Sequence, residues 1–127
     1  MLASLRPLTP RRQGSQLGRL CDRWVAGTLT TLAQLLRDNT RTGDVLARQG
    51  GEEFVMVLPD MAPERAAEVC ERLRERVAAH VWGPGIVVTI SIGLAAAPVY
   101  ELQALMQRAD QALYSAKRGG RNRLCRA

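Results

Sequence analysis

The 127-residue chain has few aromatic side chains, at 4%, and only one histidine and one lysine. So few rings leave no platform for stacking successive bases, and no nucleic-acid reader motif is present. The lone His80 cannot form a metal-binding cluster; it falls late in a helical pattern and reads as a surface residue. Cysteine is scarce too. Cys21, Cys70 and Cys125 are odd in number and widely spaced, without Cys-x-x-Cys, which excludes a disulfide framework or zinc site and makes the cytosol the expected compartment. The longest apolar stretch, Ile86 to Val99, is interrupted by Thr89 and Ser91 and is too short to span a bilayer. Met1 to Leu20 lacks the apolar centre of a secretory signal. Acid is nearly absent at the start, where Arg6, Arg11, Arg12, Arg19 and Arg23 stand against Asp22 alone and account for most of the net charge of +6. Without a reader motif, that basic segment does not make nucleic acid an expected partner.

The apolar content of 46% suffices for one core. Pro7, Pro10, Gly14 and Gly18 interrupt the start, so residues 1–23 are expected to be an irregular basic segment. Leu29, Leu32 and Leu36, with Val25 one turn earlier, then predict an amphipathic helix from Trp24 to Asp38, ended by Asn39-Thr40. Thr42-Gly43 turns into a strand at Val45–Ala47. A second strand, Phe54 to Leu58, is broken by Pro59-Asp60. Pro63 opens the next helix, where its missing N–H costs nothing, and Ala66, Cys70, Leu73 and Val77 form its buried stripe. Gly83-Pro84-Gly85 ends that unit. Ile86 to Ala95 is nearly continuous and β-branched, as a strand covered on both faces would be. Leu102, Leu105, Ala109, Leu113 and Ala116 mark a final helix, capped by Gly119-Gly120, and Arg121 to Leu124 is expected as an edge strand. The order α-β-β-α-β-α-β predicts an α/β sandwich with a mixed, largely antiparallel sheet.

Between the first two strands lies Arg48-Gln49-Gly50-Gly51-Glu52-Glu53-Phe54. Glycine reaches the positive φ of tight turns without penalty, so the stretch reads as a β-hairpin. The bare Gly-Gly pair also lets another group approach the backbone, with Glu52 and Glu53 at its mouth. On pattern alone a purely structural hairpin remains open.

Gly-Gly-Glu-Glu-Phe resembles the signature of the GGDEF-domain family, the diguanylate cyclases, with Glu for Asp. The resemblance spans about Leu29 to Leu124, so 24–127 reads as a partial GGDEF domain. It implies a nucleotidyl-cyclase, ferredoxin-like α+β fold. It also implies a reaction in which two GTP molecules become cyclic di-GMP and two pyrophosphates, carried out by a homodimer with Mg²⁺ or Mn²⁺. Within that likeness Glu52 takes the metal-binding position and Glu53 the acidic position beside it, the two catalytic candidates. Gly50 and Gly51 would lie against phosphate. Tyr114-Ser115-Ala116-Lys117-Arg118-Gly119-Gly120-Arg121-Asn122 is similar to the family's C-terminal motif, which puts Lys117 and Arg121 on triphosphate-holding positions. A basic helix end complementing the helix dipole is the plainer reading of those cations, although Lys117 is the one lysine beside 17 arginines. Arg41-Thr42-Gly43-Asp44 lies at the offset of the family's inhibitory site, where cyclic di-GMP binds, and Arg72 matches a supporting arginine.

Two parts of the family pattern are missing. The first strand should end in Asp-x-Asp, giving a second metal carboxylate, and the next helix should supply Asn and Asp to read guanine. Here no Asp precedes Asp22, and the guanine-reading position falls near Ala26. The first strand is therefore expected to be missing or replaced, and catalysis by this chain alone to be weak or absent. The alternatives are a degenerate cyclic di-GMP receptor using Arg41 and Asp44, or a non-functional cyclase fragment. An upstream sensor or a second cyclase chain would be the protein partner.

Overall fold

The computed structural model describes residues 2–8, 17–49, 53–83, 85–96 and 102–127, with 2–8 and 17–26 described as backbone. In chain order the elements are β1 (Leu2–Leu8), α1 (Leu17–Asp38), β2 (Val45–Arg48), β3 (Phe54–Val57), α2 (Pro63–Ala79), β4 (Thr89–Ala95), α3 (Leu102–Arg118) and β5 (Leu124–Arg126). They form one sheet in the order β2-β3-β1-β4-β5. Every pairing is antiparallel except that of β4 with β5. The segment β1-α1-β2-β3-α2-β4 is the ferredoxin-like arrangement, with α3 and β5 added.

Core alternation assigns the layers. Phe54 and Met56 of β3 and Ile90, Ile92 and Leu94 of β4 face a core shared with Leu29, Leu32 and Leu36 of α1 and Ala66, Cys70, Leu73 and Val77 of α2. Val55 and Ala95 point the other way, onto Ala109 of α3. The sheet is thus sandwiched, with α1 and α2 on one face and α3 on the other. Gly93 lies on the α3 face, and a Cβ there would sit 2.1 Å from the carbonyl oxygen of Ala109 and 2.3 Å from the amide nitrogen of Leu113. Only a residue without a side chain lets the helix backbone rest this close to the strand.

The expected irregular conformation of 1–23 is corrected. Leu2–Leu8 is a strand at the middle of the sheet, and α1 begins at Leu17 rather than Trp24. The place of the first strand is therefore filled. Leu-Ala-Ser-Leu-Arg-Pro-Leu has no clean two-residue alternation, so the strand is specified by its neighbours more than by its own pattern. Pro7 lies opposite Ile90 of β4, past Leu5, where the described register with β3 ends.

Smaller differences follow the same logic. β4 starts at Thr89, since Ile86 closes a turn through its N–H to the Gly83 carbonyl at 3.1 Å. Leu102 is 57% exposed, and Ala112 joins the buried side of α3 instead. β5 begins where the expected edge strand ends, because Gly119 to Arg123 is spent on the helix cap. His80 is half-buried, with its ring edge-on to Trp82 at 4.7 Å. Cys70 and Cys125 are free thiols; burial first, and then the nearby Glu71 carboxylate, push the Cys70 thiol up to about 12.

Candidate functional site

The β2–β3 hairpin forms as expected, with Arg48 opposite Phe54 and the Gln49 N–H donating to the Glu53 carbonyl at 2.8 Å. Gly50, Gly51 and Glu52 fall between Gln49 and Glu53 in the chain. These three lie outside the described residues. Glu53 stands half-buried at the base of the tip. A groove of about 290 Å³ opens beside it, between Leu29, Ala33 and Arg37 on α1 and Leu46, Arg48 and Phe54 on the hairpin.

Sheet register brings the C-terminal motif to the same end of the molecule. Arg48, Phe54, Leu5, Ile92 and Leu124 form one cross-strand row. The turn preceding Leu124 therefore leaves the sheet at the hairpin-tip end, three strand spacings or about 14 Å from β3. The Gly120 N–H donates to the Lys117 carbonyl at 3.3 Å and the Arg121 N–H to the Ala116 carbonyl at 3.0 Å, a Schellman cap with Gly120 at φ 116°. Lys117 is half-buried in the last turn of α3, and Arg121 is exposed just beyond it.

Arg41 and Asp44 sit at the opposite end of β2, about 13 Å from the tip by strand rise. Gly43 has φ 95°, and the Asp44 N–H donates to the Arg41 carbonyl at 3.0 Å, closing a tight turn. Within it the Asp44 carboxylate accepts from the Arg41 backbone N–H at 2.8 Å and from Nε at 3.2 Å. Arg41 Nη2 also donates to the Pro59 carbonyl. The Asp44 side chain is 3% exposed and Arg41 51% exposed, so the carboxylate is a fixed, satisfied anchor and the guanidinium an accessible one. Arg72 comes to the same place from α2. Asn39, Arg41, Asp44, Met61, Val69 and Arg72 line a hollow of about 220 Å³, with Arg65 at its edge. Arg65 and Val69 were missed, although their spacing of seven and three residues from Arg72 puts them on one helical face with it.

The GGDEF domain model of the diguanylate cyclases matches residues 25–123. The chain belongs to the GGDEF family. It is 45% identical over 100 residues to diguanylate cyclase DgcP of Pseudomonas aeruginosa, covering 76% of this chain and 15% of that protein. It spans less than a third of the other leading curated GGDEF relatives. The GGDEF domain of DgcB from Caulobacter crescentus, solved in complex with c-di-GMP, superposes with a TM-score of 0.79 at 29% identity, covering 98% of this chain and 75% of that one. The active GGEEF domain of a Vibrio cholerae diguanylate cyclase gives 0.81 at 27% identity, covering 98% and 80%. The GGDEF sequence match starts at residue 25, whereas the structural match takes in nearly the whole chain. β1 thus occupies a place in the GGDEF sheet without carrying GGDEF sequence.

GGDEF diguanylate cyclases generally use a divalent metal. Among the described residues no three His, Cys, Asp or Glu side chains gather as a metal site. Leu2–Leu8, beside β3 in the GGDEF sheet, contains no carboxylate. Among the described residues Glu53 is the acid of the signature. Among the described residues no helix is long and apolar enough to cross a membrane.

Proposed function

We propose that this chain is a diguanylate-cyclase-type GGDEF domain that binds cyclic di-GMP at the Arg41–Asp44–Arg72 hollow and turns over GTP weakly or not at all alone. The observation that carries this reading is the meeting of those three residues, from β2's approach and from α2, in one hollow. Arg41, paired with Asp44, and Arg65, paired with Glu68 at 3.1 Å, stand there with Arg72, leaving an excess of positive charge suited to a phosphodiester. Guanine offers O6 and N7 to an arginine fork, and the Asp44 carboxylate holds the Arg41 guanidinium in place for it. Met61 and Val69 supply an apolar floor for a purine ring.

The catalytic part of the proposal concerns the hairpin-tip end. In the family reaction each 3′-oxygen bonds to the α-phosphorus of the other GTP, the bond from that phosphorus to the pyrophosphate oxygen breaks, and two pyrophosphates leave. In this reading Gly50 and Gly51 admit the phosphates, Lys117 and Arg121 hold the triphosphate, Glu52 would hold Mg²⁺ or Mn²⁺, and Glu53 supports it. A homodimer meeting at the hairpins would bring the two substrates together in the cytoplasm. Turnover is weak because β1 brings no second carboxylate beside β3. An upstream sensor or a second cyclase chain would supply the input.

Two measurements on the purified chain test the proposal. Titration calorimetry with cyclic di-GMP should show binding that Arg41→Ala weakens by about tenfold or more, from loss of charge-assisted bonds. Incubation with GTP and Mg²⁺, followed by chromatography, should yield little cyclic di-GMP. Steady production abolished by Glu52→Ala would refute the impairment. Binding that ignores Arg41, or no binding by folded wild type, would refute the receptor role and favour a non-functional fragment.

A further inference from the structure

The Gly120–Asn122 turn holds two consecutive non-glycine residues at positive φ, Arg121 at 63° and Asn122 at 44°. Side-chain-bearing residues adopt this region only where the surroundings over-determine it. Part of the restraint is local: the Schellman bonds described above, and Arg123, whose Nε donates to the Arg121 carbonyl at 3.1 Å. Another part comes from α2, 48 residues earlier in the chain. Arg74 Nη1 donates to Asn122 Oδ1 at 3.1 Å.

Arg74 is itself held in place. Its Nε donates to both Glu71 carboxylate oxygens, at 3.2 and 3.1 Å, and Nη2 donates to Glu71 Oε2 at 3.0 Å. The guanidinium side chain is 20% exposed, against 42% for Glu71. A planar fork clamped on one side by a carboxylate has its remaining donor aimed in a fixed direction. Here that donor meets the side chain of the second left-handed residue.

We infer that Arg74, oriented by Glu71, is a positioning residue that sets the Gly120–Asn122 turn through Asn122 and so presets Arg121 for the nucleotide triphosphate. This rests on the reading of Arg121 as a triphosphate contact. An exposed arginine on an unbraced turn samples many directions, and binding must then order it; a braced turn removes part of that cost beforehand.

The test is calorimetry with guanosine 5′-[α,β-methylene]triphosphate and Mg²⁺ on the full chain, with thermal melts alongside. Arg121→Ala should weaken binding by about tenfold or more, and Arg74→Ala by about three- to tenfold. In the Arg121→Ala background, Arg74→Ala should cost less than about twofold, because both act through one group. Arg74→Lys should not restore binding, since an ammonium does not reproduce the planar fork that meets both Glu71 oxygens and Asn122 from separate nitrogens. Asn122→Gly, which keeps easy access to positive φ while deleting the acceptor, should repeat the Arg74→Ala loss and serves if that variant fails to fold. Hydrogen exchange of the Arg121 amide should quicken in either variant, while amides in the first half of α2 keep their protection. A wild type that does not bind the analogue, or an Arg121→Ala that binds it normally, refutes the triphosphate reading and this inference together. Weakened Arg121→Ala with normal Arg74→Ala and Asn122→Gly, or losses that multiply in the double variant, refutes the positioning role alone.

Discussion

Gly93→Ala puts a number on the contact between β4 and α3. The added Cβ would stand 2.1 Å from the Ala109 carbonyl oxygen, 2.3 Å from the Leu113 amide nitrogen and 2.8 Å from Leu113 Cα. All three are backbone atoms of α3, so no side-chain rotation relieves the clash. The helix must retreat by about 1 Å or more, opening the contacts of Ala109 and Leu113 with the sheet. Overpacking of this kind costs about 1–3 kcal/mol and sometimes more, and the rigidity of the neighbours puts Gly93→Ala at about 3 kcal/mol or above. For a chain this long that lowers the melting temperature on the order of 10 °C. The natural control is Gly27→Ala. Gly27 lies within α1 with nothing within 4 Å of the added methyl, so the same change should stabilise by about 0.5–1 kcal/mol through helix propensity. Urea unfolding followed by tryptophan fluorescence reads both. A Gly93→Ala midpoint within error of wild type, or one above that of Gly27→Ala, would show that α3 does not rest on β4 as described.

Three further outcomes are expected. Arg41→Lys should lose cyclic di-GMP binding nearly as fully as Arg41→Ala, because a point charge does not reproduce the fork; calorimetry checks it, and wild-type affinity in Arg41→Lys would sink the guanine-fork reading. Lys117→Ala, on the far side of the hairpin from the hollow, should change cyclic di-GMP affinity by less than about twofold in the same experiment. The Cys70 thiol, pushed up by burial to about 12 in the fold from its ordinary 9.0, stays protonated in the native state while the unfolded chain ionises above pH 9. Its contribution to stability is therefore complete below pH 9 and falls toward pH 12 by at most about 1.4 kcal/mol per pH unit. Denaturation midpoints of wild type and Cys70→Ala across that range should converge accordingly, and parallel profiles would refute it.

The parts of the fold legible in the sequence were those whose burial is periodic. The α2 stripe of Ala66, Cys70, Leu73 and Val77 is buried as its spacing requires, and Leu29, Leu32 and Leu36 behave likewise. β1 was hidden because a strand paired on both sides takes its register from partners that local pattern does not reveal, and Pro7 argued against it. Gly93 passed unnoticed in an apolar run, since only the approach of α3 gives it meaning. At the hollow proposed for cyclic di-GMP, Arg41 and Asp44 were picked out by their offset from the hairpin and Arg72 by likeness to a supporting arginine of the family, while Asn39 was read only as a helix end. Its Nδ2 does cap the Leu35 carbonyl at 2.7 Å, and lining the hollow is a second use of the same residue.

The central position of β1 also governs the order in which the molecule can assemble. Leu2 pairs with Val57 on one side and with Ala95 on the other, so both neighbours lie far along the chain. A ribosome delivers β1 before either partner. At about 5–20 residues per second the wait for β4 lasts several seconds, during which β1 presents an open hydrogen-bonding edge where β4 will pair. Such edges invite pairing with other chains. Closure of the sheet therefore depends on the longest-range strand pairing among the described residues, which forms slowly, and the yield of folded protein should fall when nascent chains are crowded.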